Sequence, residues 1–321
     1  MLAAYAARIS PEDPLSALEV GELEEPNLPE GWVTVAVRAA SLNHHDVWSL
    51  KGVGLPEERL PMILGCDAAG LDPEGNEVIV HSVISDPEWR GDESLDPRRN
   101  LLSEVHPGTL AERVAVPRHN LVPKPPSLSF EEACCLPTAY LTAYRMLFTR
   151  GRLRPGQTVL VQGAAGGVAS AAIAIARGAG ARVWATSRDE RKRDHAVELG
   201  AHQAFESGAR LPDRVDLVIE TVGEATWGHS LRSLKPGGIV VVAGATSGMN
   251  PPADLSRVFF KQIEVIGSTM GTKAELADLV QMMESTGLRP KVNRTLPLAE
   301  AAEGIATMIA GEVFGKIVLT P

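Results

Sequence analysis

The sequence predicts an α/β fold of two parts, a doubly wound parallel sheet and an antiparallel, barrel-like domain. Two patterns favour this fold. From residue 157 onwards, short runs of β-branched and apolar residues alternate with segments of helical spacing, as in a parallel sheet with crossover helices. Before residue 82, short strands are broken by turns, as in antiparallel sheets.

Strands and turns dominate the first part of the chain. Trp32–Val37 alternates along its length and follows a turn at Pro26–Gly31, and Glu77–His81 predicts a second strand. Leu110–Val116 resumes the strand pattern. Between these strands, residues 82–108 are dense in proline and charged side chains, which predicts a long surface loop.

A proline-rich segment, Pro123–Pro126, predicts the border between the two domains. Ser129 and Glu132 form the pattern of a capping box, which opens a helix, and Leu141–Leu147 predicts another helix. Gly315–Leu319 predicts one more strand, which we expect to return to the first domain.

Composition limits the kinds of partner. The chain of 321 residues is long enough for two domains with separate cores. Its net charge of −9, without a basic block, argues against general binding of nucleic acids or anionic membranes. No apolar run reaches the roughly 20 residues of a membrane span, and the first residues lack a signal-peptide pattern. Three cysteines, two of them adjacent, imply no disulfide framework, so we expect a reducing, cytoplasmic setting.

The strongest functional signal lies in residues 158–176. A buried strand, Thr158–Val161, breaks at small residues, and an Ala- and Ile-rich segment with helical spacing follows at once. Small residues at such a turn let backbone N–H groups approach a pyrophosphate, which then lies at the positive end of the helix. The strict glycine fingerprint is not met, because with Gly166 as its middle glycine the outer positions hold Ala164 and Ala169. The turn, together with the strand that follows, predicts a dinucleotide site.

The end of that next strand, Ala181–Thr186, predicts which dinucleotide binds. About twenty residues after the turn, where the motif places its ribose-reading residue, the chain has Ser187 and Arg188 instead of Asp or Glu. A carboxylate would bind the ribose hydroxyls of NAD, whereas a serine and an arginine, with Lys192 one helical turn later, suit a 2′-phosphate. The sequence therefore predicts NADP(H) as the cofactor.

Several motifs follow one another along nearly the whole chain. They are Ser41–Asp46, Leu64–Gly70, Gly108–Glu112, Leu141–Tyr144, the cofactor turn, Leu234–Gly238 and Gly315–Lys316. This series resembles the medium-chain dehydrogenase/reductase superfamily, and most of all its zinc-free quinone oxidoreductases and enoyl reductases. The resemblance implies a Rossmann cofactor-binding domain over residues 125–289 and a GroES-like catalytic domain over residues 1–124 and 290–321.

The resemblance implies a site without metal. Zinc-dependent alcohol dehydrogenases of the superfamily use two cysteines and a histidine, and the matching positions here hold Asn43, Cys66 and Thr138. Only Cys66 could ligate zinc well, while a catalytic zinc needs about three protein ligands. Residues 82–108, where a structural zinc would require four cysteines, contain none. We expect Cys66 to be a small buried residue and Asp67 to satisfy nearby backbone groups.

The turn, the strand after it and the resemblance together assign residues to the cofactor. These are Thr142, Ala165, Gly166, Gly167, Val168, Ser187, Arg188, Lys192, Val222, Gly223, Gly244, Ala245, Thr246, Thr269 and Met270. On the substrate side the resemblance assigns Asn43, His45 and Trp48. Asn43 would donate a hydrogen bond to the developing enolate, and His45 either delivers a proton or is hydrogen-bonded in its domain core. His229 falls on a predicted helix or loop surface and has no assigned role.

These residues predict an NADPH-dependent, zinc-free oxidoreductase that transfers hydride to a quinone or an α,β-unsaturated carbonyl compound. Two alternatives stay open: a zinc-type alcohol dehydrogenase, and a non-catalytic NADPH-binding protein such as a redox sensor. The apolar strands Ile239–Ala243 and Glu264–Gly267 predict a homodimer, because the family's strand order puts the second of them at the sheet edge.

Overall fold

In the computed structural model, which describes residues 1–321, the chain divides into two compact units. The first combines Met1–Ala139 with Met270–Pro321, and the second is Tyr140–Thr269. Residues 125–139 and 270–289, which the sequence prediction gave to the cofactor-binding domain, therefore group with the first unit. The α/β fold class is confirmed, with one wholly parallel sheet and a set of mainly antiparallel sheets.

The first unit consists mainly of strands. They are Leu2–Ala6, Leu18–Glu22, Trp32–Ser41, Met62–Ile63, Asp67–Leu71, Glu77–Val80, Val83–Ile84, Asn100–Leu101, Arg113–Pro117, Leu121–Pro123, Val292–Pro297 and Lys316–Thr320. Its α-helices are His44–Leu50, Phe130–Ala133, Lys273–Thr286 and Ala301–Ile309.

The strand Trp32–Ser41 is central to the first unit. Its three valines are buried, as the alternating pattern predicts. It pairs antiparallel with Asp67–Leu71, with Arg113–Pro117 and with Lys316–Thr320. The last pairing confirms that the strand predicted near residue 315 returns to the first domain. It also brings Lys316 to the strand end from which the candidate site begins.

Residues 82–108 form the predicted surface loop only in part: residues 86–99 lie outside any strand and are largely exposed, whereas residues 82–84 and 102–103 are buried. The segment includes the paired strands Val83–Ile84 and Asn100–Leu101, and Leu102 and Ser103 are fully buried. Several aspartates of this segment accept hydrogen bonds from its own backbone N–H groups. The charged residues therefore fold the segment locally, and it can contribute side chains to the interior.

The second unit is a six-stranded parallel sheet with helices. Its strands in chain order are Thr158–Val161, Arg182–Thr186, Gln203–Phe205, Val215–Glu220, Leu234–Val242 and Glu264–Gly267. Across the sheet they stand in the order third, second, first, fourth, fifth, sixth. This is the strand order of dinucleotide-binding domains, in which the ligand lies at the carboxyl ends of the strands where the order reverses.

The helices of the second unit follow the sequence prediction with one difference. They are Leu141–Tyr144, Gly167–Gly178, Glu190–Glu198, Glu224–Ser233 and Leu255–Lys261. The helix predicted over residues 141–147 changes after Tyr144 into a wider π-helical turn, Arg145–Arg150. No helix in either unit has the length and apolar character needed to cross a membrane.

Candidate active site and cofactor loops

The turn between the first strand of the parallel sheet and the helix Gly167–Gly178 is open to an anion. Gly163 has φ +73°, and Ala165 has φ +127°, a region that non-glycine residues rarely occupy. Gly166 is the N-cap of the helix and supplies no side-chain cap. A Cβ added at Gly166 would meet no heavy atom within 4 Å. The first N–H groups of the helix are therefore left for a pyrophosphate, so the turn fits the predicted cofactor.

The loop after the second strand contains the predicted 2′-phosphate readers. Ser187 is largely buried, and its hydroxyl oxygen accepts a hydrogen bond from the N–H of Asp189 at 3.2 Å, which leaves its own proton to donate. Arg188 is exposed. The carboxylate of Asp189 caps the next helix by accepting from the N–H of Lys192 at 3.3 Å. The carboxylate of Asp189 is therefore already engaged.

Arg193 is a further residue of this loop that sequence reasoning missed. Its guanidinium donates to the carbonyl oxygens of Ser187 at 2.9 Å and Arg188 at 3.2 Å. These two hydrogen bonds hold the backbone that carries Ser187 and Arg188. The sequence signal for this role is an arginine six residues after Ser187, which the structure places on the helix Glu190–Glu198.

The loops after the fourth and fifth strands contact each other. Ser247 donates from its N–H to the carbonyl oxygen of Val222 at 2.8 Å, and Glu224 donates to that of Gly248 at 3.1 Å. Gly223 has φ +91°, and a Cβ there would lie 2.8 Å from the Cα of Ala245. The structure thus brings together the predicted residues Val222, Gly223, Gly244, Ala245 and Thr246.

The remaining predicted cofactor residues lie elsewhere. Thr142 is 6% exposed on the helix Leu141–Tyr144. Thr269 is the last residue of the second unit, and Met270 begins the segment that belongs to the first unit. Their assignment to the cofactor stays a prediction from the resemblance.

In the first unit, Asn43 precedes the helix His44–Leu50 as its N-cap. The Asp46 carboxylate accepts from the N–H of Asn43 at 2.8 Å and from that of Gly65 at 3.0 Å. Burial raises the pKa of Asp46 to about 6. Asp46 therefore joins the start of the helix to the turn that carries Cys66 and Asp67.

The side chain of Asn43 is fully hydrogen-bonded within the protein. Its Nδ2 donates to Asp67 Oδ2 at 2.8 Å and to the carbonyl oxygen of Ser41 at 3.3 Å. Its Oδ1 accepts from Lys316 Nζ at 2.6 Å. In this arrangement the amide has no hydrogen left for a substrate oxygen. The predicted contact with the enolate would require one of these bonds to open.

Lys316 and Asp67 form a buried ion pair below Asn43. Lys316 is 2% exposed, and its ammonium also donates to the carbonyl oxygen of Leu42 at 2.6 Å and lies 3.4 Å from Asp67 Oδ2. Asp67 Oδ2 accepts from Ser41 Oγ at 2.7 Å, while Asp67 Oδ1 has no hydrogen-bond partner. The expectation that Asp67 satisfies backbone groups is wrong, because the carboxylate is used by side chains.

His45 has contacts at both ring nitrogens, one at Nε2 and two at Nδ1. Its Nε2 is 3.0 Å from Glu104 Oε1, and its Nδ1 is 3.4 Å from both Cys66 Sγ and Ser103 Oγ. Burial opposes a charge on the ring, but the contacts with Cys66 and Glu104 raise the pKa of His45 well above 6.5. Ser103 and Glu104 come from residues 82–108, the segment expected to lie on the surface. Of the two readings of His45 that the sequence left open, the geometry favours a histidine held from both sides.

Cys66 and Trp48 have the expected surroundings in part. Cys66 is 1% exposed, as predicted, and burial raises the pKa of its thiol. Trp48 is half-buried on the helix His44–Leu50, and the ammonium of Lys51 lies 5.6 Å from its ring centroid. Trp48 thus retains an accessible face for a substrate, and that role stays a prediction.

The donor set of the first unit does not suit a catalytic zinc. Among residues 1–321, no group of three or more His, Cys, Asp and Glu side chains is arranged to hold a metal ion. Cys66 and Glu104 contact opposite nitrogens of His45, so the three cannot share one ion. The amide of Asn43 is already bonded to Lys316, which puts a positive charge beside one of the ligand positions.

Comparison with known proteins places these features among dehydrogenases and reductases. Residues 29–126 match the alcohol dehydrogenase GroES-like domain, and residues 167–285 match the zinc-binding dehydrogenase family. The chain is similar to the acryloyl-coenzyme A reductase of Metallosphaera sedula, with 30% identity over 94% of this chain and 96% of the relative.

Two solved structures share the whole fold. One is described as an NAD-dependent alcohol dehydrogenase, with a TM-score of 0.92 and 35% identity over 100% of both chains. The other is the 2-octenoyl-CoA carboxylase reductase CinF in complex with NADP and 2-octenoyl-CoA. It has a TM-score of 0.92 and 26% identity, and the match covers 99% of this chain and 87% of CinF.

Proposed function

The chain belongs to the medium-chain dehydrogenase/reductase superfamily, and from that membership we propose that it is an NADPH-dependent reductase of α,β-unsaturated carbonyl compounds. The favoured substrate class is an enoyl thioester, because both the acryloyl-coenzyme A reductase and CinF are named for such substrates. Quinones, which the sequence also suggested, are the second class to test.

One observation carries the cofactor part of the proposal. The six parallel strands stand in the dinucleotide-binding order, and an uncapped helix N-terminus follows the first of them at Gly166. Ser187 and the exposed Arg188 lie after the second strand, where a 2′-phosphate would be read. CinF was solved in complex with NADP, whereas the alcohol dehydrogenase of similar fold is described as NAD-dependent. Ser187, Arg188 and Lys192 support NADPH for this chain.

When bound, the nicotinamide would supply the hydride. The chain's own residues then bind the cofactor, exclude water and manage one proton. Against the effect of burial, the contacts with Cys66 and Glu104 raise the pKa of His45 and favour its protonated form. Both of its ring nitrogens have partners, so its proton leaves only when the bond to Glu104 or to Ser103 opens. Water is the alternative donor.

The direct test is oxidation of NADPH by the purified protein with a panel of acceptors. We expect turnover with an enoyl-CoA or a simple enone, slower turnover with NADH, and little activity on ethanol or simple ketones. Conjugated acceptors spread the incoming charge, whereas a simple ketone needs an electrophile such as a metal. A protein that binds NADPH and reduces no member of the panel would support the non-catalytic sensor instead.

We expect the enzyme to work without zinc. Elemental analysis of the purified protein should find well under one zinc per chain, and a chelator should leave the NADPH-dependent rate unchanged, because the ligand positions hold Asn43 and Thr138. Stoichiometric zinc that is lost together with activity would favour the zinc-type alcohol dehydrogenase.

The charge on His45 can be tested through Glu104. Because the folded-state pKa of His45 is raised, its stabilising effect is present below the unfolded value of about 6.5 and is lost as pH rises through the folded value. Glu104→Gln should therefore lower the unfolding free energy more below pH 6.5 than at a pH well above the folded-state pKa of His45. If His45 is the proton donor, the alkaline limb of the pH–rate profile should also move to lower pH.

His45→Phe is the control for this prediction. Adding Glu104→Gln to His45→Phe should give no pH-dependent loss of stability, because the charged partner is already gone. A pH-independent effect of Glu104→Gln in the wild-type background would contradict the assignment of the charge to His45.

We also propose that two copies of the chain pair at the sheet edge. Glu264–Gly267 is the edge strand, and Val265 is 48% exposed. Phe259 and Phe260, on the helix before it, are 61% and 80% exposed. An apolar edge of this kind is stabilised by pairing with a second strand. Sedimentation at micromolar concentration should show a dimer.

Val265→Lys should convert this dimer to a monomer by placing a charge at the edge. Val197→Lys is the matched control, because Val197 is 50% exposed on the helix Glu190–Glu198, away from this strand in sequence. This substitution should leave the dimer intact. A stable monomer of the wild type would reject the pairing.

A further inference from the structure

A buried chain of hydrogen bonds joins three strand ends below the cofactor loops of the second unit. Thr186, Gln162, Ser230 and Glu220 have no exposed surface. The Thr186 hydroxyl donates to Gln162 Oε1, and Gln162 Nε2 donates to Ser230 Oγ at 2.9 Å. The Ser230 hydroxyl then donates to Glu220 Oε2 at 2.6 Å. We call these four residues the Glu220 chain.

The direction of these bonds is fixed by His229. Its Nε2 donates to the carbonyl oxygen of Ala209 at 2.9 Å, which leaves Nδ1 to accept from Gln162 Nε2 at 2.9 Å. Burial lowers the pKa of His229, so the ring stays neutral. The sequence put His229 on a surface, and this expectation is wrong because the side chain is buried against the Glu220 chain.

The Glu220 end of the chain sets the loop after the fourth strand. Glu220 Oε1 accepts from the N–H groups of Val222 at 2.8 Å and Gly223 at 3.0 Å. The Thr226 hydroxyl donates to both carboxylate oxygens at 2.9 Å. Gly223 is held at φ +91°, where only glycine is unstrained. The loop keeps this sharp turn because Glu220 accepts hydrogen bonds from its backbone N–H groups.

The other end of the chain sets the phosphate loops. Thr186 is the last residue of its strand and directly precedes Ser187. Its carbonyl oxygen accepts from the N–H of Ala164 at 2.8 Å, in the turn that begins after Gln162. One buried chain thus contacts the turn for the pyrophosphate, the loop for the 2′-phosphate and the loop at Val222.

We propose that Glu220 and Thr186 are positioning residues for the two halves of the cofactor, joined through Gln162 and Ser230. Glu220 holds the Val222–Gly223 loop for the nicotinamide half, and Thr186 holds the phosphate loops for the adenosine half. Neither side chain touches the cofactor. This inference rests on the proposed function, because it takes these loops to be the cofactor loops. If these residues only supported the fold, their substitution would weaken binding of the two halves of the cofactor to the same extent.

Two ligands distinguish the ends of the chain. Adenosine 2′,5′-bisphosphate carries only the adenosine half, whereas NADPH carries both. Glu220→Ala should raise the dissociation constant of NADPH about tenfold or more and leave that of the bisphosphate within about twofold, since two backbone N–H groups lose a charged acceptor. Glu220→Gln, which keeps one acceptor oxygen, should restore most of the NADPH affinity.

Thr186→Val should give the opposite pattern. The loss of its hydroxyl leaves Gln162 Oε1 without a donor, so the affinities for NADPH and for the bisphosphate should fall by the same factor, about three- to tenfold. The matched control is Ser233→Ala, on the same helix as Ser230. Its hydroxyl donates to the carbonyl oxygen of His229 at 2.8 Å and does not contact Glu220 or Gln162. Its oxygen also lies 3.4 Å from His229 Nε2, which keeps the carbonyl oxygen of Ala209 as its acceptor in the variant. This substitution should change neither affinity.

Thermal melting of each variant separates loss of binding from loss of fold. Should Glu220→Ala not fold, Thr226→Val carries the test, because it removes one donor to Glu220 without contacting Gln162, and it should weaken NADPH alone. Equal losses for both ligands in the Glu220 or Thr226 variants, or no loss in either, would overturn the positioning roles. A wild type that binds neither ligand would instead contradict the cofactor assignment itself, and the positioning roles with it.

Discussion

Lys316→Met should lower the unfolding free energy by about 3–5 kcal/mol. The substitution leaves Asp67 as a buried charge without a cation. This charge is poorly compensated, because Asp67 Oδ1 has no hydrogen-bond partner even in the wild type. It also removes the donor to Asn43 Oδ1 and to the carbonyl oxygen of Leu42. Urea unfolding, followed by tryptophan fluorescence and circular dichroism, measures the loss.

Two further variants make this result specific. Lys316→Met combined with Asp67→Asn should be more stable than Lys316→Met alone, because no unpaired charge stays buried. Arg294→Met is the matched control. Arg294, on the neighbouring strand, forms an exposed ion pair at 2.9 Å with Glu303 of the helix Ala301–Ile309, and exposed pairs contribute about 0–1 kcal/mol. A loss for Lys316→Met as small as that of Arg294→Met would contradict the importance of the buried pair.

Arg188→Ala should raise the KM for NADPH about ten- to hundredfold and change the KM for NADH little. A charge-assisted hydrogen bond contributes about 1.5–3 kcal/mol, and about 1.4 kcal/mol corresponds to a factor of ten. Arg188 is exposed, so its guanidinium is free to reach a 2′-phosphate. Steady-state kinetics with both cofactors on one acceptor measure the difference.

Arg191→Ala is the control for Arg188→Ala, because it removes a positive charge from the first turn of the helix Glu190–Glu198. It should affect the two cofactors equally and weakly. Equal losses for NADPH and NADH in Arg188→Ala would reject the 2′-phosphate assignment, and the alcohol dehydrogenase described as NAD-dependent would then be the better guide to the cofactor.

The fold was largely predictable because local sequence patterns indicate its strands and helices. A run of β-branched residues such as Thr158–Val161, ended by small residues, needs no distant partner to be recognised. The Ser129–Glu132 capping box is present as predicted. The classification of the chain and its parallel sheet are confirmed. The homodimer, the metal-free site, the cytoplasmic location and the individual site residues stay predictions.

The candidate site was less predictable because its members are far apart in sequence. His45 and Glu104 are separated by 59 residues, and Asn43 and Lys316 by 273. No local pattern reports such a contact. The charge density of residues 82–108 predicted their exposed part but not the contacts of Ser103 and Glu104 with His45. Acidic side chains that fold a segment look in sequence like those that solvate a loop. Gln162 and Glu220 also gave no signal. A polar residue at the end of a strand can be interpreted only once its partners are known.

The division of the first unit into two separated stretches of chain has a consequence for its synthesis. A ribosome adds residues from the amino end, so Tyr140–Thr269 has left the exit tunnel before Lys316 is made. The parallel sheet can therefore fold while translation continues. Asp67 can form its ion pair only after Lys316 has been made, 249 residues later in the chain. Released chains that end at residue 310 and at residue 321 should therefore differ in protease resistance in the first unit alone.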